Sequence, residues 1–156
     1  MPNIKVITDS SVQLSPEEIE KYGITVVPLS ITIDDKTYVD GEDITRKDFI
    51  QKMDNAKELP KTSQPAIGRF VDEFKKLAAD GSQVLGIFMA KCLSGTVDAA
   101  RQASELVDFD VTIFDSGYTD RAMGFEVLEA AKMAQADKNL DEIIARLKQI
   151  LDFSLK

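Results

Sequence analysis

The chain has 156 residues, enough for one domain with a real core and too few for two. Apolar residues make up 44% and charged residues 29%, the balance of a globular chain, and a formal charge of −8 repels phosphate backbones and anionic head groups, so no nucleic-acid partner is expected. The absence of histidine removes serine triads, Cys-His dyads and His-ligated metals, and a single cysteine, Cys92, removes an internal disulfide and any Cys-rich zinc site.

The β-branched run Ile4-Lys5-Val6-Ile7-Thr8 predicts a buried first strand, followed by a polar loop at Asp9-Ser10-Ser11. Ser15, Pro16 and Glu18 have the spacing of a capping box with proline at the first helical position, so a short helix starts there, turns Ile19 and Tyr22 inward and stops at Gly23. Ile24 to Leu29 is the second apolar run, and the alternation at Ile31 and Ile33 extends it toward a turn at Asp34-Asp35-Lys36 that returns through Thr37-Tyr38-Val39 as a small hairpin. Thr45 with Asp48 opens a helix through Phe49, Ile50 and Met53, and Lys57 to Gln64, with Pro60 and then Pro65, reads as a loop.

Ile67, Phe70, Val71, Phe74, Leu77 and Ala78 repeat at the spacing of one buried helical face, closed by Gly81. Val84 to Met89 is the third strand. Ser94-Gly95-Thr96 opens a helix that uses Val97, Ala100, Ala103 and Val107, and Val111 to Phe114 is the fourth strand, ending in Asp115-Ser116-Gly117. Two helices follow, from about Asp120 to Ala136 and, after the pair Asn139 and Glu142, to about Leu151. Leu151 to Lys156 alternates apolar and polar residues, which suits either a frayed end or the lead into a further strand.

Strands apolar on both faces alternating with helices predict a three-layer α/β/α fold with a mostly parallel four-stranded sheet, order 2-1-3-4, plus a small hairpin, all in one domain over residues 1–156. The longest apolar run, Val84 to Ala90, is broken by Gly86 and too short to span a bilayer, so no stable membrane insertion is expected. Met1 to Lys5 lacks the apolar stretch of a signal peptide and the lone cysteine fits a reducing compartment, which together predict a cytoplasmic protein.

In such sheets ligands bind beyond the carboxyl ends of the strands. Standing there are Thr8, Asp9, Ser10 and Ser11 after the first strand, Ser94, Gly95 and Thr96 after the third, and Asp115, Ser116 and Gly117 after the fourth. The loop before the Ile67 helix adds Thr62, Ser63 and Gln64. Small hydroxyls and helix N-terminal N–H groups, with only Lys61 and Lys91 nearby, suit one acidic head such as a carboxylate or a phosphate. They do not suit a triphosphate, and no Gly-rich phosphate fingerprint is present. Plainer roles compete: Thr62, Ser63 and Ser94 as helix caps, Asp9 and Asp115 as loop organisers or a weak metal pair, Cys92 as a small, partly buried residue or a thiol activated by Lys91, and acidic helix positions as solvated surface.

Several segments together resemble the DegV family of bacterial fatty-acid-binding proteins: Ile7-Thr8-Asp9-Ser10, Val26-Val27-Pro28-Leu29, Asp40-Gly41-Glu42-Asp43-Ile44, Phe114-Asp115-Ser116 and Met123-Gly124. Most specific are Pro60-Lys61-Thr62-Ser63-Gln64-Pro65 and Leu93-Ser94-Gly95-Thr96. The resemblance implies a binding protein without a cofactor, not an enzyme. It would hold a long-chain fatty acid such as palmitate and present it to a separate fatty acid kinase in phospholipid metabolism. Carried over by motif, Thr62 and Ser94 would bond the carboxylate and Ser63, Gly95 and Thr96 would shape the pocket, with Ser10, at the neighbouring strand end, a secondary contributor. Ala90-Lys91-Cys92 departs from the small hydroxyls usual before Leu-Ser-Gly-Thr and brings an ammonium toward the pocket.

Family members are roughly twice as long, with the acyl tail between two α/β domains, so the resemblance implies an N-terminal domain whose C-terminal partner is absent. At ~0.8 kcal/mol per buried CH₂, losing half of the tail's burial would weaken binding by several kcal/mol. Leu29, Ile31 and Leu93 flank the expected head group and would touch the tail, or simply fill the core. Two other classes remain open at this stage. One is a phosphoryl-transfer enzyme related to the dihydroxyacetone kinase substrate domain, which would need Asp9 or Asp115 as nucleophile. The other is an interaction module that pairs, for instance as a homodimer, through surface the missing domain would cover.

Overall fold

The computed structural model describes residues 3–154. In chain order the elements are β1 (Ile4–Asp9), α1 (Pro16–Tyr22), β2 (Thr25–Val27), β3 (Ser30–Ile33), β4 (Lys36–Val39), α2 (Arg46–Asp54) and β5 (Lys61–Ser63). They continue with α3 (Ile67–Ala78), β6 (Gln83–Phe88), α4 (Thr96–Ser104), β7 (Val111–Asp115), α5 (Asp120–Gln135) and α6 (Leu140–Ser154).

The main sheet is parallel, in the order β2-β1-β6-β7, which is the predicted 2-1-3-4 order. Its strands read as unbroken apolar runs because both faces are covered. Ile4, Val6, Leu85 and Ile87 pack with α5 and α6 through Met123, Val127, Ile143 and Leu147, and Ile19 and Tyr22 of α1 lean on the same cluster. On the other face Ile7, Val84 and Phe88 meet Phe70 and Phe74 of α3 and Val97, Ala100 and Ala103 of α4. There the Phe70 and Phe88 rings meet edge to face with centroids 5.2 Å apart. Gly86 leaves room for this packing: a methyl group at its Cα would sit 2.5 Å from the Phe88 ring.

The capping residues act as their types require. Ser15 and Glu18 exchange bonds across the first turn of α1, Thr45 and Asp48 across that of α2, and Asn139 and Glu142 at the start of α6. Gly23 ends α1 in the left-handed region at φ 60°.

Four features differ from the sequence expectation. The second apolar run does not continue as one strand. It breaks at Pro28, which has no N–H for a ladder, and β3 sets off in a separate sheet. That sheet is not a bare hairpin but three antiparallel strands, β4-β3-β5, because Lys61–Ser63, expected as loop, pairs with Thr32, Ile31 and Ser30. α4 stops at Ser104, short of Val107. Leu151 to Ser154 continue α6 past its expected end near Leu151; Leu155 and Lys156, the rest of the segment read as a frayed end or the lead into a strand, lie outside the described residues, as do Met1 and Pro2.

Candidate functional site

The small sheet carries β5 to the carboxyl end of the large one. A cavity of about 450 Å³ opens between the two segments singled out in the sequence. Thr62, Ser63 and Gln64 line it from β5 and the residue beyond, and Ser94 and Gly95 line it from the loop before α4. Leu29, Met89 and Leu93 form its apolar wall. Leu29 is buried, whereas Leu93 is 61% exposed at the rim. Ile31 faces away, into the small core with Ile33 and Ile44.

Thr62 and Ser63 do not cap α3. The cap position there is Ala66, without a side-chain bond, and both hydroxyls are exposed on an edge strand. Ser94 does make local bonds. Its Oγ accepts the Thr96 N–H at 3.2 Å and lies 2.9 Å from Thr96 Oγ1. A serine hydroxyl has one donor and two acceptor sites, so when Thr96 donates, the Ser94 O–H is left to donate into the cavity. Thr96 itself is fully buried and stands one hydrogen bond behind the lining. Gly95 lets the Gln64 side chain lie against the loop: a Cβ there would overlap Oε1 of Gln64, the far end of an exposed side chain, and would displace it.

Ser10 is on the far side of the β2–β3 link. Its Oγ accepts the Leu29 N–H at 2.9 Å, and it lines a different groove with Val12, Ile19, Val26 and Pro28. It positions Leu29 and does not join the Thr62–Ser94 cavity. Gln64, named with Thr62 and Ser63 from the sequence but given no role in holding the head, does line the cavity. Met89 is the lining residue that sequence reasoning missed, since nothing set it apart from a core residue.

The nearby charges are turned to structural use. Asp9, fully buried, receives the Ser11 N–H and O–H on Oδ1 and the Met89 N–H on Oδ2, so it ties the end of β1 to the end of β6. Burial raises its pKa, opposed by those bonds. Asp115 accepts the N–H groups of Lys91 and Gly117 on Oδ1. Both aspartates therefore organise loops. Lys91 Nζ is 3.2 Å from Asp98 and Lys61 Nζ is 3.8 Å from Glu58, and neither lysine lines the cavity. Cys92 is exposed rather than partly buried. Among the described residues no cluster of three or more Cys, Asp or Glu side chains is placed to hold a metal ion.

One acidic helix position is not solvated surface. Glu126 of α5 is fully buried, and neither carboxylate oxygen is hydrogen-bonded among the described residues. Burial, reinforced by the neighbouring Asp115 charge, pushes its pKa up to about 8.

The model of the DegV family, described as uncharacterised protein, matches residues 3–153. The chain belongs to the DegV family. It is 46% identical over 150 residues to a DegV domain-containing protein of Streptococcus pneumoniae serotype 4, covering 96% of this chain and 54% of that one. Among solved structures it resembles DegV, a fatty acid binding protein from Bacillus subtilis, at 30% identity and a TM-score of 0.90 over 97% of this chain and 55% of the other. It also resembles a stearic acid-binding protein from Eubacterium ventriosum, at 29% identity and a TM-score of 0.87 over 93% and 52%. The chain thus spans about half the length of the relatives it matches. Among the described residues no helix is long and apolar enough to cross a membrane.

Proposed function

We propose that this chain binds a long-chain fatty acid, such as palmitate, with the carboxyl head held by Thr62 and Ser94. Ser63 and Gly95 shape the head pocket, Thr96 orients Ser94 from behind, and Ser10 acts indirectly by holding Leu29. The tail leaves along Leu29, Met89 and Leu93. The single observation that carries this assignment is the shared cavity: hydroxyls from two segments far apart in sequence line one space of about 450 Å³ with an apolar wall. The family relatives described as fatty acid binding support it. Hydroxyl donors recover the hydrogen bonds a carboxyl group loses on leaving water without burying a cation beside it.

The same assignment makes the chain a carrier whose bound acid is handed, in the cytoplasm, to a separate fatty acid kinase. Supporting a carrier over a phosphoryl-transfer enzyme, Asp9 and Asp115 are held by donors as loop organisers. Native mass spectrometry of protein purified without delipidation tests the binding. An adduct of long-chain fatty acid mass is expected. A chain that carries no such adduct, and takes none up from added palmitate, contradicts it.

A further inference from the structure

We infer that Glu126 is a positioning residue for the lipid site: while neutral it steadies the turn after β7, and through it the loop that carries Leu93 and Ser94, so that its ionisation weakens lipid binding. The inference rests on the lipid-binding assignment and adds to it a residue that does not line the cavity.

Glu126 is fully buried in α5, and both carboxyl oxygens are closed to solvent and without a hydrogen bond among the described residues. Two groups at the end of β7 act on it. The Asp115 charge opposes its ionisation, and the Ser116 hydroxyl would favour it. The Ser116 proton is already committed, however. Its Oγ donates to the Tyr118 carbonyl at 2.8 Å and accepts the Tyr118 N–H at 2.9 Å. A hydroxyl has one donor and two acceptor sites, so what Ser116 still offers is an acceptor. A protonated Glu126 can donate to it. An ionised Glu126 can only draw the Ser116 proton away from the Tyr118 carbonyl.

That carbonyl is where the loop before α4 hangs. It also receives the Ala90 N–H at 2.8 Å, and the next N–H, that of Lys91, goes to Asp115 at 3.2 Å. The Ala90 carbonyl in turn holds the N–H groups of Leu93 and Ser94, both of which line the cavity. Glu126 is thus linked to the cavity through Ser116, Tyr118 and Ala90.

Other charges around α5 are engaged elsewhere. From α1, Glu18 pairs with Arg121 of α5 at 2.7 Å, and Tyr22 lies between Lys21 and Lys132. From α6, Arg146 pairs with Glu129 of α5 at 2.8 Å, and Asp141, Glu142, Lys148 and Asp152 are exposed. From β1, Asp9 has donors on both oxygens, and Lys5 bonds the Leu77 carbonyl of α3 and Asp80. β6 has no titratable side chain. None of these supplies the counter-charge that an ionised Glu126 would need.

Titration of the delipidated full chain with a fluorescent fatty acid, at pH values from roughly 6.5 to 9.5, tests this. Glu126→Gln, whose amide donates at every pH, is measured in the same buffers, which removes the ligand's own titration from the comparison. With each protein normalised to its affinity at the lowest pH, the parent is expected to weaken about tenfold or more relative to the variant. Hydrogen exchange on the ligand-free parent gives a second readout that needs no variant. After correction for intrinsic exchange, protection of the Ala90 and Lys91 amides should fall as pH rises, while Leu85 and Ile87 in β6 keep theirs. Parallel binding profiles for parent and variant, or an equal loss of protection at all four amides, overturn the inference and leave lipid binding intact. Failure of the parent to bind at any pH overturns both.

Discussion

The Gln64 side chain rests against Gly95 so closely that no Cβ fits between them. This contact joins the segment after β5 to the loop before α4, the two stretches that supply every polar group of the cavity. Gly95→Ala must therefore push Gln64 aside. We expect fatty acid affinity to fall about tenfold or more in that variant with little change in stability, since Gln64 is exposed and free to move. Fluorescence titration beside urea unfolding checks it; unchanged affinity would mean that the contact does not shape the pocket.

Thr62 and Ser94 should separate in their effects. Each loses one hydrogen bond to the ligand when changed to alanine, worth ~1 kcal/mol or about fivefold in affinity. Thr62 is exposed on an edge strand, so Thr62→Ala should shift unfolding by less than ~0.5 kcal/mol. Ser94→Ala also removes the acceptor for the Thr96 N–H and should cost about 1 kcal/mol of stability as well. Paired binding and unfolding measurements on both variants distinguish them.

Asp9→Asn swaps one acceptor for an NH₂ group in a buried site where both oxygens already receive donors. Whichever way the amide turns, a donor meets a donor. A loss of about 2–3 kcal/mol in urea unfolding is expected; a variant as stable as the parent would show that Asp9 does not link β1 to β6.

Much of this architecture was legible in the residues. The four parallel strands follow from apolar runs whose two faces are both buried, and Ser15, Thr45 and Asn139 announce their helices by capping chemistry. What was not legible depends on distant partners. Lys61–Ser63 has no apolar alternation and sits between Pro60 and Pro65, and it becomes a strand only because Ser30, Ile31 and Thr32 offer it an edge. A shared site for Thr62 and Ser94 was suggested by family resemblance, whereas the cavity that both residues line is a property of the fold. Glu126 looked like one more acidic helix position, and its burial is decided by packing that local pattern does not encode.

That buried carboxyl gives a pH dependence with a definite sign. Folded Glu126 keeps its proton to about pH 8, whereas the unfolded chain releases it near the ordinary value of 4.5. Below that ordinary value both states are protonated and nothing is lost. As pH rises from there to about 8 the unfolded state is favoured progressively, on the order of 3 kcal/mol by pH 7. Glu126→Gln removes this contribution. Urea unfolding at pH 5 and pH 8 should show the parent losing more stability than the variant over that interval; equal losses would mean that Glu126 ionises freely in the folded state.

The most direct test of the lipid-binding account is fatty acid uptake by the delipidated chain compared with the double variant Thr62→Ala, Ser94→Ala, each confirmed as folded by circular dichroism. The parent should take up one equivalent of palmitate, and the double variant should bind it at least about twentyfold more weakly, the product of two lost hydrogen bonds. Equal binding by the two proteins would contradict the account, because the hydroxyls that converge on the cavity would then have no part in holding the acid.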